Sequence, residues 1–264
     1  MPDAPQLEAQ LRVSTAGLSV ARAVHVFDSV PSTNALAMAA GAADDVDGSV
    51  FLARSQTAGR GRGGHTWDSE ADAGVYLSML LRPQIRPGDA LVLSLLTGLA
   101  VVAALEDAVA VHADLRWPND ILIGEHKLGG ILTELSNDGD RVAFVVVGIG
   151  LNVNQAAMPD GFATPSTSLR IETGKEWPVL EIAAALLHAF DGEYRQLLAN
   201  PPAALQSAIS RFEKQSSYAR GKRVLVDEQG GYEGTTDGLD ARGFLRVRTG
   251  SGIRTVLSGG VRPA

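Results

Sequence analysis

The sequence predicts an α/β chain, of the α+β kind, followed by a small all-β barrel. Three observations carry that expectation. Short strand-like apolar runs alternate with longer runs of helical spacing up to about residue 214. The longest apolar stretch, residues 90–105, contains Ser94, Thr97 and Gly98 and falls short of the ~20 residues that span a bilayer, so it reads as a buried helix. From Gly221 onward, alternating runs separated by glycine pairs and aspartate turns replace the helical spacing.

The elements follow in order. Residues 1–11 are polar and read as a flexible N-terminus, which leaves 12–216 as the main domain and 217–264 as the barrel. Residues 24–29 form a first strand. Ser32 then caps a helix over 34–40, which Gly41 closes. Strand 49–56 enters a Gly/Arg loop, and strand 75–82 leaves it, stopped by Pro83. A helix over 89–107 comes next, then strands 121–123 and 130–136. Asn137-Asp138-Gly139-Asp140 is a hairpin turn, with 142–147 as the partner strand. Gly148-Ile149-Gly150-Leu151-Asn152 breaks into a loop reaching about Ser166. Helices over 178–199 and 203–214 close the main domain; the first sets Ile182, Leu186, Phe190, Tyr194 and Leu197 on one face.

Bulk properties exclude several functions. A net charge of -7 and a pI near 5.2 oppose nonspecific binding to nucleic acid, which needs a basic face. The absence of cysteine removes disulfides, cysteine–zinc sites and thiol nucleophiles. No secretion-signal pattern opens the chain, so a cytoplasmic location away from membranes is expected. His25, His65, His112, His126 and His188 show no ligand spacing, and there is no nucleophile elbow. Neither a protein-bound structural metal nor a covalent triad is expected.

What remains is a set of polar motifs. Gly59-Arg60-Gly61-Arg62-Gly63-Gly64-His65-Thr66-Trp67 concentrates positive charge in an acidic chain. Glycines let backbone approach a ligand, and guanidinium forks recognise carboxylate or phosphate. Gly59, Gly61 and Gly64 match a dinucleotide fingerprint, but a strand follows where that motif requires a helix. Lys127, followed by Leu128-Gly129-Gly130, reads either as a surface turn lysine or as a point charge beside a phosphate. Trp117-Pro118-Asn119-Asp120 reads either as a turn with a buried Trp or as a holder of a magnesium–nucleotide complex. Ser32-Thr33-Asn34 is a helix cap or, with Gln56, a set of neutral donors and acceptors for an uncharged polar ring.

Together, Ser32-Thr33-Asn34, Gln56, the segment from Gly59 to Trp67, Trp117 to Asp120, Lys127 to Ile131 and Gly148 to Asn152 stand in the order found in biotin–protein ligases, which the chain resembles. The resemblance implies a mixed-sheet biotin/lipoate ligase-type catalytic domain with an SH3-like barrel. It implies formation of biotinyl-5′-AMP from biotin and Mg-ATP, then transfer of biotin to a lysine of a biotin carboxyl carrier domain of an acyl-CoA or pyruvate carboxylase. It further implies biotin contacts from Ser32, Thr33, Asn34, Gln56, Arg60, Gly61, Arg62, Lys127 and Gly129. ATP or adenylate contacts would come from Arg60, Arg62, Trp67, Asn119, Lys127 and Asn152. Lys127 and Arg62 would be the catalytic cations, and Asp120 would meet the magnesium of Mg-ATP. The Gly/Arg loop and the 156–166 loop would close over the intermediate. Two positions depart from the family pattern: His65 replaces a common arginine, and Arg116 a common lysine. The short segment before the first strand leaves no room for the DNA-binding domain of some members, so a ligase that does not bind DNA, monomeric or homodimeric, is expected. A lipoate or octanoate ligase of similar fold and a non-catalytic anion-binding protein are the alternatives.

Overall fold

One mixed sheet organises the main domain. In a computed structural model, described for residues 2–159, 164–228 and 230–264, it comprises β1 (Ala23–Val30), β2 (Ser49–Gln56), β3 (Gly74–Leu81), β4 (Asp114–Arg116), β5 (Asp120–Ile123), β6 (His126–Asp138) and β7 (Arg141–Asn152). The strand order is β1-β2-β3-β7-β6-β5-β4. β1 and β2 are parallel, joined through helix α2 (Thr33–Ala42); all other neighbours are antiparallel.

The two faces of this sheet have different tasks, and the two-residue period of a strand separates them. Val50, Leu52, Leu77, Met79, Val145, Val147 and Ile149 point into the main core. That core is roofed by helices α3 (Leu91–Val109), α5 (Val179–Ala199) and α6 (Pro201–Gln215). Fully buried leucines such as Leu95 on α3 typically cost about 2–5 kcal/mol when cut to alanine. The opposite parity, Phe51, Leu80, Phe144 and Val146, packs under α2 as a smaller cluster. Ser78, Gly148, Gly150 and Glu134 share that parity on their strands, so the α2 face carries the polar site.

By length and composition alone, the stretch Pro87–Val109 is long enough to cross a membrane, longer than the apolar run in the sequence suggests. Yet 78% of its most apolar window is buried inside the fold, which makes it the core helix expected at 90–105.

Strand β2 matches the sequence reading residue for residue, and Ser32 caps α2, accepting from the Ala35 amide at 3.4 Å. Four expectations are corrected. Residues 4–11 are helical rather than loose: helix α1 (Ala4–Ser14) starts in a capping box, with Asp3 and Gln6 exchanging bonds of 3.0 and 3.2 Å, and anchors itself through the wholly buried Leu11. Gly41 lies inside α2, which runs on to Ala42. The stretch 148–152 is not a loop but the second half of β7, paired on both sides with β3 and β6. A short helix, α4 (Leu169–Thr173), capped by Ser168, follows where none was expected.

The C-terminal unit is a five-stranded antiparallel sheet of β8 (Arg220–Val226), β9 (Tyr232–Leu239), β10 (Leu245–Thr249), β11 (Gly252–Val256) and β12 (Val261–Pro263), in the order β11-β10-β9-β8-β12. The expected barrel is thus seen as an open sheet, with β11 and β12 at its two edges. It is fastened to the main domain by Trp117, whose indole donates to the Gly243 carbonyl at 3.0 Å, and by Arg242, which donates to the Gly88 carbonyl at 2.9 Å.

Candidate active site

The Gly/Arg loop folds back as a tight hairpin. Gly61 N–H donates to the His65 carbonyl at 2.7 Å, and Trp67 N–H to the Gly59 carbonyl at 2.9 Å. These two amides are therefore spent inside the loop. Beneath the hairpin lies a cavity of about 50 Å³ lined by Ser32, Thr33, Gln56, Arg60, Gly61, Arg62, Trp67, Asn119 and Lys127, among others. A larger cavity, about 270 Å³, adjoins it and shares Arg62, Asn119, Ile131 and Leu132. Leu91 of α3, Trp117, Pro118, Phe244 and Leu257 supply its apolar walls.

The floor of the first cavity is a buried hydrogen-bond network. Gln56 Oε1 accepts from the Thr33 amide at 2.8 Å and from its hydroxyl at 3.2 Å, while Gln56 Nε2 donates to Ser69 Oγ at 2.8 Å. Ser78 Oγ stands 2.8 Å from Thr33 Oγ1 and 2.6 Å from Asn34 Oδ1. Asn34 Nδ2 in turn donates to the Leu132 carbonyl at 3.2 Å and to Glu134 Oε2 at 2.9 Å. Glycines make room for this floor. A β-carbon on Gly148 would lie 1.9 Å from Asn34 Oδ1, and one on Gly150 would lie 2.5 Å from the Trp67 ring.

Three cations face the floor. Arg60 pairs with Glu134 at 2.8 Å. Arg62 donates to the Gly259 carbonyl of the C-terminal unit. Burial pulls the Arg62 guanidinium below its ordinary value, with nearby Asp120 acting in the opposite direction; an arginine still keeps its charge at neutral pH. Lys127 Nζ lies 2.6 Å from Asp120 Oδ1 and 5.8 Å from the centre of the Trp67 ring. The other oxygen of Asp120 accepts from buried Arg116 at 2.6 and 3.1 Å. Burial raises the Asp120 carboxyl, but Lys127 and Arg116 outweigh it and hold it below the usual carboxylate range. One carboxylate between two cations leaves net positive charge, which Lys127 presents to the cavity.

Several expected residues do not sit as anticipated. Both oxygens of Asp120 are engaged by cations, and the described residues contain no group of three acidic or histidine side chains for a metal. With both oxygens paired, Asp120 has none free for the magnesium of Mg-ATP. Asn152 is buried outside the cavity lining, its amide donating to the Thr167 carbonyl at 3.0 Å. Gly129 faces Leu151, and its neighbour Gly130 lines the cavity instead. Asn119 lines it too, but its amide already donates to the Ile131 carbonyl at 3.0 Å. Arg54, a further positive charge at the loop entrance, is committed to Asp72 and Asp28, which raise its pKa. His65 is exposed and outside the lining. The end of the 156–166 loop runs beside Lys127, whose amide donates to the Pro165 carbonyl at 2.7 Å; residues 160–163 of that loop lie outside the described residues. The Trp67 indole N–H is buried with no hydrogen-bond partner among the described residues.

Sequence reasoning missed Ser78 and Glu134. A signal was present for the first: Ser78 is the lone small hydroxyl in the otherwise apolar strand Gly-Val-Tyr-Leu-Ser-Met-Leu-Leu. Glu134 requires the parity of β6 to be known.

Residues 26–152 match the model of the Biotin/lipoate A/B protein ligase family. The biotin–acetyl-CoA-carboxylase ligase of Mycobacterium tuberculosis is 37% identical over 250 residues, covering 91% of this chain and 88% of that protein. The chain belongs to the biotin protein ligase family. The biotin protein ligase of Aquifex aeolicus, solved in complex with biotin and ATP, superimposes with a TM-score of 0.77 at 30% identity, over 92% of this chain and 100% of that one. The bifunctional ligase/repressor BirA of Bacillus subtilis is 34% identical over 214 residues, and the match spans only 65% of its length. The mixed α/β architecture is thus that of a biotin protein ligase, and the cavity under the Gly/Arg hairpin lies within the matched family segment.

Proposed function

We propose that the chain is an ATP-dependent biotin–protein ligase. One observation supports this most: a single cavity joins neutral donors and acceptors at Thr33 and Gln56 to three cations, Arg60, Arg62 and Lys127. The ureido ring of biotin is a neutral donor–acceptor group suited to the first set. A carboxylate and a phosphate suit the second. Ile131, Leu132 and Ile149 supply apolar wall for the valeryl tail.

In the first step a biotin carboxylate oxygen attacks the α-phosphorus of ATP, the bond to the bridging oxygen breaks, and pyrophosphate leaves with the electron pair. Two anions must meet, and Arg62 and Lys127 offset their repulsion and the charge that develops between them. Asp120 holds Lys127 in place for this task. Magnesium enters with ATP as part of the substrate. The ring of Trp67, which lines the cavity, offers a flat surface to the adenylate.

In the second step the amine of a carrier-domain lysine attacks the acyl carbon of biotinyl-5′-AMP. AMP leaves, the amine gives up a proton, and an amide remains. The name of the Mycobacterium tuberculosis relative supports a carboxylase carrier domain as the acceptor. No protein nucleophile is required. The test is biotin-dependent exchange of label between pyrophosphate and ATP, followed by transfer of biotin to a purified carrier domain. Exchange driven by lipoate or octanoate but not by biotin would replace this reading with that of a lipoate-type ligase.

A further inference from the structure

The Gly/Arg hairpin and the floor beneath it form one closed circuit of polar contacts. It starts at Arg60, passes through Glu134, Asn34, Ser78, Thr33 and Gln56, and returns to the far end of the hairpin at Ser69, whose hydroxyl reaches the Trp67 carbonyl at 3.4 Å. Glu134 is the only charged member besides Arg60, and each of its oxygens has a separate partner: Oε1 takes Arg60 and Oε2 takes Asn34.

These two bonds are unequal. Asn34 is 4% exposed, so its bond to Glu134 is sheltered. The Arg60 side chain is 51% exposed and that of Glu134 21%, so their ion pair is open to water and to competing anions. Glu134 is thus held by a buried amide while its grip on Arg60 is exchangeable. Glu134 takes Nη2 of Arg60 and offsets part of the positive charge that the guanidinium presents to a ligand carboxylate.

We propose that Glu134 is a positioning residue that holds Arg60 over the cavity and surrenders it to the anionic group of the ligand. This rests on the reading of the cavity as a biotin site and adds a residue to it. Glu134 acts through Arg60. It lowers affinity for the carboxylate form of the ligand and, in exchange, keeps the half-exposed Arg60 docked over the cavity.

The test compares binding of biotin and of biotinol, in which a neutral alcohol replaces the carboxylate, by calorimetry on the full chain. The quantity read is the ratio of the two dissociation constants, biotinol over biotin, which cancels any general damage to the floor. In Glu134→Gln, the ratio is expected to rise about threefold to fivefold, the measure of an ion pair at this exposure. In Arg60→Ala the ratio is expected to fall, and adding Glu134→Gln to Arg60→Ala is expected to leave it there. An unchanged ratio in Glu134→Gln, or the same rise in the Arg60→Ala background, overturns the proposal. Failure of the unsubstituted protein to bind biotin at all would instead overturn the reading of the site. Matching thermal unfolding of Glu134→Gln and the parent confirms that the comparison is made on folded protein.

Discussion

Gly148 faces the amide of Asn34 so closely that a β-carbon there would stand 1.9 Å from Asn34 Oδ1. The obstacle is a buried side chain pinned by Ser78, Leu132 and Glu134, so it cannot swing aside. Gly148→Ala is expected to destabilise the fold by about 1–3 kcal/mol, the usual cost of overpacking, and to weaken biotin binding by disturbing Thr33 through Ser78. Urea denaturation and calorimetry check both effects; a variant of parental stability and affinity would contradict the floor described here.

Lys127 and Arg62 are the cations assigned to adenylate formation. Lys127→Ala and Arg62→Ala are each expected to slow biotin-dependent ATP–pyrophosphate exchange by about 10²–10³, the usual loss on removing one charge-stabilising contact. Near-parental exchange in both variants would sink their assigned roles.

Asp120 links stability to pH. Its folded-state carboxyl lies below the usual carboxylate range, so it favours folding above the unfolded value of about 3.9, and that contribution is lost as pH falls through the lower folded value. Asp120→Ala also strands Arg116, which is 4% exposed, and is expected to cost about 3–5 kcal/mol at neutral pH. Denaturation curves should show the gap between parent and variant shrinking as pH is lowered from 5 toward 2. A gap that stays constant would show that the carboxylate charge does not carry the effect.

Trp117 ties the two units through its indole N–H and the Gly243 carbonyl. Trp117→Phe keeps most of the apolar bulk and leaves that carbonyl without its partner, at an expected cost of about 1–3 kcal/mol. Because Arg62 is held by Gly259 of the same C-terminal unit, the variant should also slow exchange; protein of lowered stability with parental exchange would separate the two contacts.

The site was more legible in the sequence than the boundaries of its elements. Ser32, Thr33, Gln56, Arg60, Arg62, Trp67 and Lys127 stand in ordered motifs, and the structure brings them to one cavity. Glycines misled where they serve close approach and not chain reversal. Gly148 and Gly150 read as a loop, yet they lie within a paired strand whose bareness admits Asn34 and Trp67. Asp120 reads as a holder of the magnesium of Mg-ATP because a carboxylate stands beside the Asn119 amide; only the fold shows Arg116 and Lys127 claiming both its oxygens. Glu134 was invisible because its partners come from the hairpin and α2, 74 and 100 residues away in the chain. The N-terminal segment reads as loose from its polarity, although Asp3, Pro5 and Gln6 spell the start of a helix.

On the proposed reading, the cavity under the Gly/Arg hairpin joins biotin to AMP. Exchange of labelled pyrophosphate into ATP by the purified protein tests it most directly. Exchange is expected to require biotin and not to be supported by lipoate or octanoate. Exchange that is absent with biotin, or that runs equally well without it, would overturn the proposed function.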